Sequence, residues 1–200
     1  MEPLLSGDAA AVVSQGLAIL MGLALASTCG LRAFLPLFVI SLLSYAGKVT
    51  LGESFQWMHS PLALLCFGTA VVLEFLGDKI PAVDHVLDAA GTVVKPAAAT
   101  LATASMVTEF DPMLAVVLGL LTGGVAAEGV HLAKAKTRLL STAFTGTLAN
   151  PFLSVLEDLA ALVGVILAVV VPIVVVGGAA IFVVLVWRWR RRRAPQPAGA

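Results

Sequence analysis

Residues 128–151, EGVHLAKAKTRLLSTAFTGTLANP, run from Glu128 to Pro151 and decide how the chain folds. The end of an apolar run meets a cluster of bases, then hydroxyl side chains, then an Asn-Pro that opens the next apolar run. An earlier stretch, Glu74 to Pro96, reads EFLGDKIPAVDHVLDAAGTVVKP and matches it at both ends. A glutamate opens each stretch, and GTVVKP at Gly91–Pro96 returns as GTLANP at Gly146–Pro151. Bases between apolar runs are typical of the cytoplasmic loops of membrane proteins. The two stretches therefore predict two membrane hairpins turning at one face.

Outward from these loops the chain stays apolar. Charged residues make up 12% of the 200 residues, against about 25% in soluble domains. Seven apolar segments are expected: 9–28, 31–46, 60–77, 92–107, 112–131, 150–171 and 173–189. A straight crossing needs roughly 17–25 residues, so 31–46 and 92–107 are short. The second of these, with PAAATLATASMV at 96–107, is weakly apolar and belongs among other helices, where small residues let backbones approach. The acidic start MEPLLSGDAA lacks the basic region of a signal peptide, so the first run is retained. Cys29 and Cys66 sit in apolar runs and read as packing residues.

The expected fold is all-α: a polytopic membrane helix bundle with about seven transmembrane segments. Residues 1–190 form one transmembrane domain, and 191–200 a disordered basic, proline-rich tail. Within it, 60–107 and 111–171 form a parallel internal repeat about an axis along the membrane normal. Ser60-Pro61 and Asp111-Pro112 open the two halves alike, each with a proline suited to a first helical turn. The two cytoplasmic loops, 78–90 and 134–147, are read as re-entrant or interfacial. In the first, 82–90 is an amphipathic helix at the boundary.

At these residues a resemblance can be stated. CGLRAFLP at Cys29–Pro36, the Glu74–Pro96 run, HLAKAKTR at His131–Arg138 and NPFLSVLED at Asn150–Asp158 resemble a bacterial integral-membrane family known only as a domain of unknown function. The likeness runs over about residues 10–190. It implies a multi-pass fold in the bacterial inner membrane and supplies no activity.

Candidate site residues follow from cost. An unpaired charge at mid-bilayer costs at least about 2.5–3.5 kcal/mol, so such groups face a cavity or a partner. Arg32, Glu74, Glu128, Glu157 and Asp158 are the membrane candidates, with Arg32 expected to pair with Glu157 or Glu128. Glu128, His131, Lys134 and Arg138 fall three or four residues apart on one helical face, and Asn150 opens the next run. Lys134 and Arg138 suit an anion, or simply anionic headgroups beside a basic loop. Asp84, His85 and Asp88 offer a metal-ligand spacing that is not diagnostic. The stronger alternative is that the acidic loop pairs with the basic one across the pseudo-symmetry axis.

Function is read at class level: a small transporter or lipid-handling permease with a charge-lined site toward the cytoplasm. A non-catalytic scaffold with internal charge pairs is the alternative, and a metal-dependent membrane enzyme a weaker one. No P-loop, GxSxG, CxxC or HExxH motif occurs, and no cofactor is expected. Partners are membrane lipids, with anionic headgroups at Arg188, Arg190, Arg191, Arg192 and Arg193, and not nucleic acid. A homo-oligomer stays open, although Gly119 and Gly123 are better spent on internal packing.

With the C-terminus inside and seven crossings, eleven of the twelve bases fall inside and only Lys48 outside. The N-terminus is thus expected outside and the C-terminus in the cytoplasm. A reporter active only in the cytoplasm should signal from a C-terminal fusion and stay silent at the N-terminus. Equal signals would mean an even number of crossings.

Overall fold

The computed structural model describes residues 2–146 and 148–193; the tail from 194 onward lies outside them. Seven α-helices are present among the described residues and no strand: α1 (Glu2–Thr28), α2 (Phe34–Tyr45), α3 (Pro61–Gly77), α4 (Pro81–Met106), α5 (Pro112–Gly119), α6 (Val125–Thr145) and α7 (Asn150–Arg193). A 3-10 helix, Glu53–His59, precedes α3, and a π turn, Leu120–Gly124, joins α5 to α6.

Local chemistry sets the ends. The Ser60 side chain accepts from the Ala63 N–H at 3.1 Å and Pro61 follows as the first helical residue. Asp111 does the same for α5, accepting from Met113 N at 2.9 Å before Pro112. Each cap satisfies a first-turn donor that the helix leaves open. Gly146 ends α6 at φ 60°, a left-handed conformation natural to glycine.

The structure corrects the expected segmentation in three places. The acidic loop and the segment 92–107 are one continuous helix, α4, which passes through Gly91 and carries Pro96 inside it. The basic stretch is no loop either, since helix continues from Pro112 through the π turn to Thr145. The segments 150–171 and 173–189 are likewise one helix, with Pro172 inside it and no hairpin. The two GTxxxP blocks therefore differ locally: Gly91 lies within a helix, whereas Gly146 terminates one.

The least apolar expected segment lies at the centre. Helices α1, α2, α3, α5 and α6 all pack on α4. Ala98, Ala99, Ala102, Thr103, Ala104, Ser105 and Met106 are buried there. Small side chains set the distance. A Cβ added at Gly119 would lie 2.6 Å from the Thr100 carbonyl oxygen, and one at Gly123 2.2 Å from Thr103 Oγ1 and 2.8 Å from the Ala99 carbonyl oxygen. The glycines at 119 and 123 thus serve the contact with α4. Gly30, at the break between α1 and α2, similarly meets the Ala127 carbonyl of α6.

Among the described residues two helices are long and apolar enough to cross a membrane, Pro112–Thr145 and Asn150–Pro172. The 3-10 helix and α3, bent by 70° at their break, would together make a third. Seven crossings are not supported. α2 has 12 residues, only about 18 Å of helix, and α4 carries charges through its first half. Pro112–Thr145 is about 51 Å long against a hydrocarbon core of about 30 Å, so its polar end projects beyond the bilayer.

Gly123→Ala should destabilise by about 1–3 kcal/mol through overpacking. Gly129→Ala, where nothing lies within 4 Å, should be neutral or stabilising by up to about 1 kcal/mol. Thermal melts of the two purified variants compare them; equal tolerance would contradict the close α4 contact.

Candidate functional site

Five segments bring charge to one end of the bundle. Along α6, His131, Lys134 and Arg138 recur every three or four residues and are all buried. Asp84, Asp88, Gly91 and Lys95 form a matching stripe on α4. The end of α3 supplies Glu74, followed by Asp78 and Lys79, and the start of α7 supplies Ser154, Glu157 and Asp158. The fifth element is the break between α1 and α2, which carries Arg32.

Arg138 holds three helices together. Its guanidinium donates to both oxygens of Glu157 on α7, at 2.7 and 3.1 Å, and to Asp84 and Asp88 on α4. This fork-on-carboxylate geometry is the strong form of ion pair. Lys134, one turn earlier, stands 3.3 Å from Glu157, 3.5 Å from Asp88 and 3.8 Å from Asp78. The acids of the first loop do meet the bases of the second.

Arg32 is 0% exposed. It pairs with Asp78 at 2.7 Å and with Asp158, donates to the Glu74 carbonyl oxygen at 3.1 Å, and lies 4.7 Å over the Phe75 ring. Lys79 closes the chain of pairs on Asp158 at 2.7 Å and Ser154 Oγ at 2.8 Å. Burial of ions on this scale costs several kcal/mol per group and is tolerable only with partners in place.

Two buried groups stand outside this pairing. The Glu74 carboxylate accepts from the backbone N–H groups of Ala33 at 2.8 Å and Phe34 at 3.3 Å. It thereby caps α2, whose own N-terminal residue makes no side-chain cap. Lys95 Nζ lies 2.9 Å from His131 Nδ1. Gly91 makes room for this pair, since a Cβ there would sit 3.2 Å from both His131 Cε1 and Lys95 Cε. A cavity of about 100 Å³ opens between the α1–α2 break, Glu74, Lys95 and Lys134.

Among these acids Asp88 has a shifted titration. Burial raises its pKa, but Lys134, Arg138 and Lys95 outweigh that and hold it below the ordinary aspartate value.

Several expectations need correction. Arg32 pairs with Asp78 and Asp158, not with Glu157 or Glu128, because the turn after α3 delivers Asp78 directly to the break. Glu128 has no base within 4 Å among the described residues, and its buried Oε2 has no hydrogen-bond partner. It lies ten residues before Arg138, about 15 Å along the helix. Asn150 stays at the α6–α7 turn, donating to Thr142 Oγ1 at 3.2 Å. For the metal reading, Asp84 and Asp88 are both engaged by Arg138, so a cation there would compete with a permanent guanidinium. The His85 side chain lies outside the described residues, as do those of Arg190, Arg191, Arg192 and Arg193.

Asp78, Lys79 and Lys95 are the participants that the choice of site residues missed. Their signal was present: 84, 88, 91 and 95 fall on one helical stripe once α4 runs unbroken, and Glu74 and Asp78 are one turn apart.

Arg138→Met should destabilise by about 3–5 kcal/mol by leaving Asp84 without its base, and Glu157→Leu by less, because Arg138 keeps Asp84 and Asp88 and Lys134 keeps Asp88. The double variant should lose less than the sum, with a coupling of about 1–3 kcal/mol in a double-mutant cycle. Simple additivity in detergent melts would show that the two groups do not depend on each other.

No curated protein and no solved structure matches the chain. Residues 19–192 match the family model described as a domain of unknown function, DUF4126, and the chain belongs to that family.

Proposed function

We propose that the chain is a small multi-pass permease of the bacterial inner membrane, with the charge cluster toward the cytoplasm. The observation that carries this reading is Arg32, fully buried in the break of a helix pair and neutralised from two other helices. Helices broken at such a point give backbone donors to a polar site, as in many transporters. Ionisable groups inside a membrane are functional candidates by default, because apolar residues would fill the same space at lower cost.

The scaffold reading has its own support in the extensive pairing of Arg32, Lys79, Lys134 and Arg138 with five acids. It accounts less well for the cavity, and for Glu74, Glu128 and Lys95, none of which has an opposite charge within 4 Å among the described residues. The pairs on Arg138 and Arg32 then act as a closed gate, and the cavity is the part of the path left open. The three cationic positions of α6, Lys134, Lys136 and Arg138, stand on the cytoplasmic side in this orientation, and the arginines from Arg188 onward hold anionic headgroups.

Reconstitution in proteoliposomes tests this. Flux of a panel of small anions, cations and zwitterions, with lipid scrambling followed in parallel, should exceed that of empty liposomes for at least one class. Arg32→Lys keeps the charge but loses the planar fork, and should fold while losing most of that flux. A folded protein with no flux of any class and no scrambling would leave the scaffold reading.

A further inference from the structure

Lys95, His131 and Glu128 take no part in the ion pairs at the charged end among the described residues. We infer that together they form a proton-binding site, in which Lys95 and His131 share one proton and a second is taken up on His131 against Glu128. As the coupling site of a permease this rests on that reading; as a proton site it stands without it.

Lys95 Nζ lies 2.9 Å from His131 Nδ1, with Lys95 4% and His131 2% exposed. An ammonium has three N–H donors and no lone pair, and an imidazolium has no acceptor nitrogen. Two cations at this distance would repel and could not hydrogen-bond. A single proton therefore bridges the two nitrogens. The amine is ordinarily the stronger base, so that proton rests on Nζ, and the imidazole is neutral with its own proton on Nε2. Gly91 of α4 leaves the space for this contact, since a Cβ there would stand 3.2 Å from both side chains. Groups coupled so closely titrate as a pair.

Glu128 is the acid left to balance a second charge. The charged groups about the pair are Asp88 from α4, Glu74 and Asp78 from α3 and its turn, Arg32 from the break, and Lys134 and Glu128 from α6. Asp78 is engaged by Arg32, Asp88 by Lys134 and Arg138, and Glu74 by the N–H groups of Ala33 and Phe34. Glu128 has a buried oxygen, Oε2, with no hydrogen-bond partner among the described residues. It stands three residues before His131 on the same face of α6, a spacing at which helical side chains meet. An imidazolium at His131 gives that carboxylate a partner, and a neutral imidazole does not.

The route for the proton is short. Lys95 lines the cavity of about 100 Å³ beside the α1–α2 break, which has room for water. Uptake begins as Lys95 passes its bridging proton to His131: the Nζ–H bond breaks and an Nδ1–H bond forms. Nζ then takes a replacement proton from a hydronium ion in the cavity. The product is an ammonium and an imidazolium, the N–H···N bond between them is lost, and Glu128 balances the added charge. Release runs the same steps in reverse.

The chain has three histidines, His59, His85 and His131, so histidine labelled at the ring nitrogens gives few enough signals to follow in detergent by NMR. His59→Gln and His85→Gln assign them. At about pH 8 His131 should show a bare Nδ1 and a protonated Nε2, and on acidification to about pH 4.5 it should gain a proton on Nδ1. Lys95→Met removes the competing cation and should move that midpoint up by about one to three pH units, whereas Glu128→Gln removes the counter-charge and should move it down by about one. If the methionine variant does not fold, Lys95→Gln, which keeps an N–H donor without the charge, takes the same titration. Lys79→Met, which touches Asp158 and Ser154 instead, should leave the midpoint in place. A wild-type Nδ1 that is protonated from the start, or never becomes so, overturns the site, as does a midpoint indifferent to Lys95→Met or to Glu128→Gln. The titration needs no transport, so it can fail while flux persists; a protein that titrates as expected but carries nothing in liposomes keeps the proton site and loses the permease.

Discussion

A guanidinium with no exposure must be neutralised where it stands, and the pairing of Arg32 with Asp78 and Asp158 organises the charged end of this bundle. In a low dielectric neither partner can be spared, because removing one leaves a buried ion. The requirement fixes more than two side chains. Asp78 can reach Arg32 only if α3 ends where it does, and Asp158 only if α7 passes the break about two turns from its start. Lys79 then binds the second oxygen of Asp158, and Lys134 and Arg138 extend the chain of charges to α4. Helix ends, turn lengths and packing are coupled through one polar network, and each pair depends on its neighbours for its geometry.

The rest of the bundle fits that arrangement by keeping its centre thin. α4 is surrounded by five helices, and alanine, serine, threonine and glycine line its contacts. Without a hydrophobic driving force between helices in lipid, close backbone approach is what packing can exploit. The glycines at 119 and 123 meet α4 backbone atoms at distances no Cβ could occupy. This explains how a helix poor in large apolar residues can stand at the middle of a membrane protein.

Much of this was legible from the residues. The Ser60-Pro61 and Asp111-Pro112 starts, the buried role of 96–107, the α6 stripe and the attraction between the two charged loops all follow from local rules. The continuity of α4 did not. Gly91-Thr92 and Pro96 look like a loop and a new start, yet a helix tolerates them when tertiary packing stabilises it. Reading a break there separated Asp84 and Asp88 from Lys95 and hid the cavity. The partners of Arg32 were also beyond reach, because four helices have to be placed before Asp78 or Asp158 can be preferred to Glu157. Glu128 misled for a related reason: its stripe on α6 is correct, but the charge cluster lies two to three turns further along.

The π turn at Leu120–Gly124 sets the azimuth of everything after it. Such a turn holds one residue more than α geometry would, and each residue is worth about 100° of rotation. His131, Lys134 and Arg138 face α4 with that extra residue in place. Were the turn to relax to α geometry while α5 kept its grip on α4, the stripe would rotate by about a quarter turn, carrying His131 away from Lys95 and Arg138 away from Asp84. The extra residue thus fixes the angular register between the part of the long helix clamped by glycines and the part that carries the charges.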